Sequence, residues 1–124
     1  MVKKFITKDS GEREEYKTGM RRDLQKGKIR FDLCTANDQK FDESLLGRWA
    51  ALMMRGAEKY GERNWELSST IEEFRRFKAS LYRHFEQFIQ GEEDEDHAAA
   101  ICFNLNAMIR LMDKLKIKAN EEKK

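Results

Sequence analysis

Two runs of residues at helical spacing, one on each side of Gly91, limit what this chain can fold into more than any other feature. In the first run, the members of the stripe are Phe77, Leu81, His84 and Phe88. In the second run, they are His97, Ile101, Asn104, Met108, Leu111 and Leu115. Residues three and four apart lie on one face of a helix, and such a face packs against a partner. The pattern therefore predicts a hairpin of two packed helices.

Capping and stop signals place three main helices along the chain. We expect the first at residues 42–60, with Asp42 as its N-cap and Gly61 as the residue that ends it. Overlapping capping boxes at Ser69 and Thr70 open the second helix, which runs to Gln90, and the third spans residues 95–117. Proline is absent, and no alternating pattern is long enough for a sheet. The predicted fold class is all-α, a small bundle of three main helices.

The segments outside these helices are polar and charged. Residues 1–18 are expected to form a flexible charged arm, or a short strand at residues 3–7, and residues 19–33 an ordered basic loop. Residues 19–117 would then be a single all-α domain, and residues 118–124 a frayed charged tail. With 124 residues, the chain has room for one core and little more.

Composition argues against several classes of protein. The net charge is only +2, and the basic residues gather in a loop rather than along one helix, which argues against a duplex nucleic acid as partner. No signal peptide is evident, and no apolar run approaches the roughly 18 residues of a membrane span. The expected location is therefore the cytoplasm, that of the host if a phage encodes the chain.

Six methionines and eight phenylalanines exceed what a thin bundle can cover, which predicts a homo-oligomer.

Three polar residues, His84, His97 and Asn104, lie within the predicted stripes. A polar group in a packed seam costs about 1–3 kcal/mol unless it finds a partner. These residues lie near five consecutive acids, Glu92 to Asp96. Carboxylates suit Mg²⁺ or Mn²⁺, and a histidine joins more readily when the ion is Mn²⁺. The pattern indicates a divalent-metal site acting on phosphate, and the alternative is a solvated charge run with capping residues.

Cations and aromatic side chains elsewhere suit a nucleotide. The basic residues that could neutralise a triphosphate are Lys59, Arg63, Arg83, Arg21, Arg22, Lys28 and Arg30. Trp65 or Tyr60 could stack on a base, and Asn64 could read its edge. The sequence has no Walker-type phosphate loop and no arrangement that indicates a Ser/His/Asp triad. The expected partner is therefore a small-molecule nucleotide.

Three blocks of the sequence are specific in combination: GMRRDLQKGKIRFDL, RGAEKYGERNWE and RRFKASLYRHFEQFIQGEEDEDHAAAICFN. Over residues 19–112 they resemble the phage-type dATP/dGTP diphosphohydrolase N-terminal domain family, which is similar to the all-α MazG-type pyrophosphohydrolases. The resemblance implies cleavage of a purine deoxynucleoside triphosphate to monophosphate and pyrophosphate, with a divalent metal held between helices. MazG-type proteins carry Glu-x-x-Glu and Glu-x-x-Asp on successive helices. This chain has Arg83-His84…Gln87 and Asp96-His97…Asn104 instead.

Two functions follow from the residues and the resemblance together. In the first, the chain is a metal-dependent pyrophosphohydrolase that uses Mg²⁺ or Mn²⁺. Catalysis is assigned to His84, His97 and Asp96, and metal binding to Glu92, Asp94 and Asp96. Substrate binding is assigned to Arg22, Lys28, Arg30, Lys59, Tyr60, Asn64, Trp65, Arg83 and Asn104. In the second, the chain is a phage-encoded protein that sequesters a nucleotide without cleaving it, an alternative that the replaced carboxylates favour.

Overall fold

The computed structural model describes residues 4–123, which fall into two compact units, one ending at Cys34 and the other beginning at Thr35. In the first unit, β1 (Arg13–Glu15) pairs antiparallel with β2 (Arg21–Asp23), and a 3₁₀ turn follows at Phe31–Cys34. Arg13 lies opposite Asp23, and their side chains form an ion pair at 2.8 Å. The hairpin is thus held together by charge as well as by backbone hydrogen bonds.

This hairpin replaces the charged arm and loop that the sequence predicted for its residues. Its strands have three residues each and are mostly exposed, so they carry no apolar alternation that a sequence pattern could reveal. Residues 4–7 form no strand, and residue 3 of the expected strand lies outside the described residues.

The second unit begins its helical part with α1 (Leu45–Tyr60). Ser44 is the N-cap: its Oγ accepts a hydrogen bond from the Gly47 amide at 3.1 Å and donates one to the Phe41 carbonyl at 2.7 Å. The prediction of Asp42 as N-cap was therefore wrong. The helix entry folds back so closely that a Cβ at position 47 would overlap the Phe41 carbonyl oxygen. Gly61 ends the helix as predicted, with φ 93° and an amide that donates to the Ala57 carbonyl at 2.8 Å.

The other two helices are α2 (Ile71–Ile89) and α3 (His97–Leu115). Of the two overlapping signals before α2, the one formed by Thr70 and Glu73 makes the capping box. Asp96 caps α3 by accepting a hydrogen bond from the Ala99 amide at 3.1 Å. The all-α fold class with three main helices is confirmed, with the small hairpin as an addition.

Helix α3 packs against both α1 and α2 and supplies most of the buried residues. The core cluster lies toward its C-terminal end and consists of Phe74, Met108, Leu111 and Ile117. Toward its N-terminal end, the buried side chains are instead small or polar: His97, Ala99, Ala100 and Asn104. The predicted stripes therefore meet, with an apolar half and a polar half along the same seam.

The chain after α3 folds back onto α2, contrary to the expectation of a frayed tail. Ile117 is buried and forms a bridge with Lys123. Lys78 donates a hydrogen bond to the Ala119 carbonyl at 2.9 Å, and Arg75 forms an ion pair with Glu121 at 2.9 Å. The charged composition of residues 118–124 suggested that this segment would be solvated, but Lys78 and Arg75 of α2 bind it. Between residues 4 and 123, no helix combines the length and hydropathy needed to cross a membrane.

Candidate functional site

A cavity of about 490 Å³ opens between the second half of α1, the segment 61–68, and the facing sides of α2 and α3. All of its lining residues belong to the second compact unit. Its polar and charged lining side chains are Tyr60, Arg63, Asn64, Ser68, Glu73, Ser80, His84, Glu95 and Asn104. Its volume is in the range of small-molecule sites in proteins, about 300–1,000 Å³.

One end of this cavity is aromatic. Trp65 meets the ring of Phe103 edge-on, with centroids 6.2 Å apart and planes at 89°. Phe77 packs on the same Phe103 ring at 5.9 Å and 86°. Edge-to-face packing of this kind stabilises aromatic pairs by about 0.5–1.5 kcal/mol beyond the burial of their area. The three rings therefore form a firm apolar wall against which a flat ligand can lie.

Arg110 holds the segment that carries Trp65. Its Nη1 donates to the Ser68 carbonyl at 2.8 Å and its Nη2 to the Glu66 carbonyl at 2.6 Å. Ser68 in turn donates from its Oγ to the Trp65 carbonyl at 2.7 Å. One guanidinium thus fixes a 3₁₀ turn, Asn64–Leu67, onto α3. Arg110 was not among the predicted site residues, and its only signal in the sequence is that it is an arginine within the apolar end of α3.

Asn104 lines the cavity and is 4% exposed. Its Nδ2 donates to the Ala100 carbonyl at 2.8 Å, which fixes the orientation of the amide group. None of the residues that the structure describes donates a hydrogen bond to its Oδ1. The amide oxygen is therefore an acceptor for a ligand in the cavity.

At the other end of the cavity lies one of a pair of buried histidines: His84 lines the cavity and contacts His97, which does not line it. His84 on α2 and His97 at the start of α3 are 7% and 2% exposed, and their Nδ1 atoms lie 2.9 Å apart. His97 Nε2 lies 2.8 Å from an Asp94 carboxylate oxygen, and His84 Nε2 lies 3.3 Å from Arg83 Nη2. The two histidines that the sequence placed on facing stripes are thus in direct contact.

The neighbours of this pair assign one set of tautomers. The hydrogen bond from His97 holds the pKa of the Asp94 carboxyl below its ordinary value, so Asp94 accepts as a carboxylate and His97 Nε2 donates. Because Nε2 of His84 faces the donor Arg83, the proton of the His84 ring is on Nδ1, which donates to the Nδ1 of His97. Burial, and then the charge of Arg83, lower the pKa of His84, whose Nε2 accepts from Arg83. Every polar atom of the pair then has a partner.

Asp96 does not join the histidines. Its two oxygens accept from Nε and Nη2 of Arg48 on α1, at 2.9 and 2.7 Å, and this pairing holds its pKa below the ordinary value. It also caps α3 through the Ala99 amide. Asp96 therefore joins α1 to α3. This geometry does not support the catalytic and metal-binding roles that were predicted for it.

Two groups of donor atoms converge beside the histidines, each within 4.8 Å. The inner group consists of His84 and Glu95, which line the cavity, together with His97. The outer group consists of Glu92, Asp94 and His97. Of the expected metal trio, Glu92 and Asp94 therefore come together, with His97 in the place of Asp96. Glu95 was not among the predicted site residues, because nothing in an acidic run tells which member faces a cavity.

The predicted nucleotide-binding residues divide into three sets. Tyr60, Asn64, Trp65 and Asn104 line the cavity, and so does Arg63. Lys59 and Arg83 are exposed and do not line it. Arg22, Lys28 and Arg30 belong to the first compact unit, where Arg22 and Lys28 line a small hollow and Arg30 pairs with Asp32 at 2.6 Å.

Comparison with known families gives one result. The family model described as dATP/dGTP diphosphohydrolase, N-terminal, matches residues 18–121. No curated protein and no solved structure matches the chain. The matched range contains every residue that lines the cavity and both donor groups.

Proposed function

We propose that this chain, which belongs to the dATP/dGTP diphosphohydrolase N-terminal family, hydrolyses a purine deoxynucleoside triphosphate to the monophosphate and pyrophosphate. The observation that carries the proposal is a cavity with an aromatic wall at one end and His84, one of the two buried histidines, at the other. A nucleotide has the same two-ended character, with a flat apolar base and a charged phosphate chain.

The distance between the two ends suits one nucleotide. Phe77 of the aromatic wall and His84 are seven residues apart on α2, which is about 10 Å along a helix axis. The base would lie against Trp65 and Phe103, where stacking on an aromatic side chain contributes about 1–3 kcal/mol. Asn104 would accept a hydrogen bond from a donor of the base or sugar. The phosphates would then extend toward His84 and Glu95.

The charges around the cavity favour a divalent cation as cofactor. Among the residues described, Arg63 is the one Lys or Arg that lines the cavity, whereas Glu73 and Glu95 also line it. A triphosphate entering alone would meet repulsion from these carboxylates. We therefore propose Mg²⁺ or Mn²⁺, held by the acidic turn and the histidines, because oxygen and imidazole donors converge there. Such an ion neutralises phosphate oxygens and polarises water.

A mixed-nucleotide incubation tests the proposal. The full chain is mixed with the four deoxynucleoside triphosphates and their ribose counterparts, with Mg²⁺, Mn²⁺ or a chelator, and the products are separated after denaturation. The expected result is metal-dependent loss of a purine deoxynucleoside triphosphate with equal amounts of monophosphate and pyrophosphate. Release of orthophosphate instead, or full recovery of every nucleotide with none retained by the protein, would contradict it.

A second candidate function is sequestration of a nucleotide without turnover. Two carboxylates of the acidic turn are already engaged, Asp94 by His97 and Asp96 by Arg48, which leaves fewer of them free to bind a metal ion. The same incubation separates the two functions. A sequestering protein withholds the triphosphate from solution and returns it intact when the protein is denatured.

A further inference from the structure

We propose that His84, Glu95 and His97 bind a divalent transition-metal ion at the end of the cavity that His84 and Glu95 line. The site would use one nitrogen of each imidazole and one carboxylate oxygen, which already lie within 4.8 Å of one another. The inference deepens the proposed function, on which it rests for the role of the ion, by naming the ligands and the preferred metal.

The first observation that supports this site is the hydrogen bond between His97 and Asp94. Its Nε2 donates to Asp94 at 2.8 Å, so its Nδ1 presents a lone pair to the inner side, toward His84. Histidines that bind metals typically donate their second ring N–H to a carboxylate in this way, which fixes the ring and raises its basicity. Asp94 is then a positioning residue for His97 rather than a ligand.

Glu95 is the second support. It lines the cavity beside His84, whereas Glu93 of the same turn does not. No Lys, Arg or His among residues 4–123 forms an ion pair with Glu95 within 4.0 Å, in contrast to Asp94 and Asp96. An acid without an ion pair that faces two imidazole nitrogens supplies the negative charge that a cation requires.

His84 must change its hydrogen bonding when the ion binds. Its Nδ1 now donates to His97, so its proton has to be carried on Nε2 when Nδ1 binds the ion. Arg83 Nη2 lies 3.3 Å from that Nε2 and would oppose a second donor. Arg83 is exposed and also donates to Gln87 at 3.0 Å, so it can turn away from the ring. Arg83 therefore weakens metal binding, and its removal should strengthen it.

The donor atoms decide which ion is preferred. Mg²⁺ takes oxygen ligands in an octahedral shell and usually keeps several waters. Two imidazoles with one carboxylate suit Mn²⁺ and the later first-row ions better than Mg²⁺. The cavity that His84 and Glu95 line leaves room for water and phosphate oxygens. The inner site should thus bind Mn²⁺ in preference to Mg²⁺ even when no nucleotide is present.

Titration of the full chain with Mn²⁺, followed by electron paramagnetic resonance of the free ion, tests the site without nucleotide. We expect one Mn²⁺ per chain, not displaced by a tenfold excess of Mg²⁺. Glu95→Gln should weaken binding at least tenfold, and the matched variant Glu93→Gln should leave it unchanged. Arg83→Gln should tighten it. Both glutamates are exposed, so these variants should fold, which thermal unfolding would verify.

Three results would overturn the inference: no stoichiometric binding, equal competition by Mg²⁺, or loss of binding in Glu92→Gln with Glu95→Gln unaffected. The last of these would move the ion to the outer group. Because the titration contains no nucleotide, its outcome is separate from that of the incubation. Mn²⁺ bound at the inner site without turnover would reject the hydrolase and leave the metal site standing.

Discussion

At the scale of single residues, the free energy of unfolding should depend on the protonation of His84. Burial, and then the charge of Arg83, place the pKa of His84 below its ordinary 6.5. The other charged or titratable groups that act on it are Glu95, His97 and Asp94. The unfolded chain therefore takes up a proton as the pH falls through 6.5, while the folded chain does not. Stability should fall over this window and level off below the folded pKa.

Urea unfolding at intervals between pH 7.5 and 5 in the presence of a chelator measures this dependence. His84→Gln should have a flatter profile over that window, whatever its stability at pH 7.5. Asp94 and Asp96 have lowered pKa values as well, but their ordinary value is 3.8, so their contribution is lost at lower pH. Equal slopes for wild type and variant would show that His84 does not titrate with a lowered pKa.

Asp96→Asn should lower stability and leave the reaction intact. The variant loses the charge that pairs with Arg48, but an asparagine caps a helix about as well as an aspartate. Since the side chain of Arg48 is 42% exposed, the pair should contribute about 1 kcal/mol, as partly solvated ion pairs do. Urea unfolding and the nucleotide assay together measure both effects. Loss of turnover at unchanged stability would show instead that Asp96 takes part in the reaction.

Asn104→Leu should weaken nucleotide binding about tenfold, the equivalent of one hydrogen bond of about 1.4 kcal/mol. Leucine keeps a comparable volume and removes both the Oδ1 acceptor and the Nδ2 bond to Ala100. Asn106→Leu is the matched control, because Asn106 is on the same helix and does not line the cavity. Calorimetric titration with a non-hydrolysable triphosphate would decide, and equal affinity in the two variants would reject the role of Asn104.

At the scale of secondary-structure elements, the segment 61–68 depends on α3 for its position. Arg110→Lys keeps the charge but loses the planar fork that binds the carbonyls of Ser68 and Glu66. We expect Trp65 to become more accessible to acrylamide quenching and nucleotide affinity to fall several-fold, with helix content unchanged. A Trp49→Phe background makes Trp65 the sole tryptophan. Lys114→Ala, on an exposed part of the same helix, should change neither quantity.

How far the sequence predicts these elements depends on the range of the interactions that form them. The capping box of Thr70 and Glu73 is local, so the start of α2 could be located from the sequence. The N-cap of α1 could not, because Asp42 and Ser44 are both good caps and the approach to Phe41 decides between them. The hairpin and the last segment are held by ion pairs between distant residues, Arg13 with Asp23 and Arg75 with Glu121. No local pattern records such pairs.

The residues of the candidate site could also be predicted only where their signal in the sequence is local. His84, His97 and Asn104 stood out because polar residues interrupted two apolar stripes, and all three are buried. The contact between the two Nδ1 atoms depends on the register of α2 against α3, which the sequence located only to within about a helical turn. Glu95 differs from its acidic neighbours only because it faces the cavity. Arg110 is distinguished only by its hydrogen bonds to the segment 61–68. Both properties arise from tertiary structure.

At the scale of the whole molecule, self-association stays a prediction, and the structure indicates which surface to test. Tyr82, Phe85 and Ile89 follow one another at helical spacing on α2 and are 63%, 49% and 63% exposed. Covering such a stripe with a second copy would remove apolar area from water. Light scattering should give a multiple of 14.8 kDa, and Phe85→Glu should shift the mass toward one chain. A wild-type mass of one chain would reject the prediction.

Helix α3 has its apolar core at one end and its polar cavity wall at the other. Among the buried side chains of α3, those that support the fold and those that face the ligand should therefore separate along its length. Substitutions of Met108 or Leu111 should act on folding, whereas exchanges at Asn104, or at Glu95 just before the helix, can change what is bound while the core stays intact. In directed evolution, ligand specificity could therefore be varied through the cavity residues near the N-terminal end of α3. The apolar core near its C-terminal end would continue to supply the free energy of unfolding.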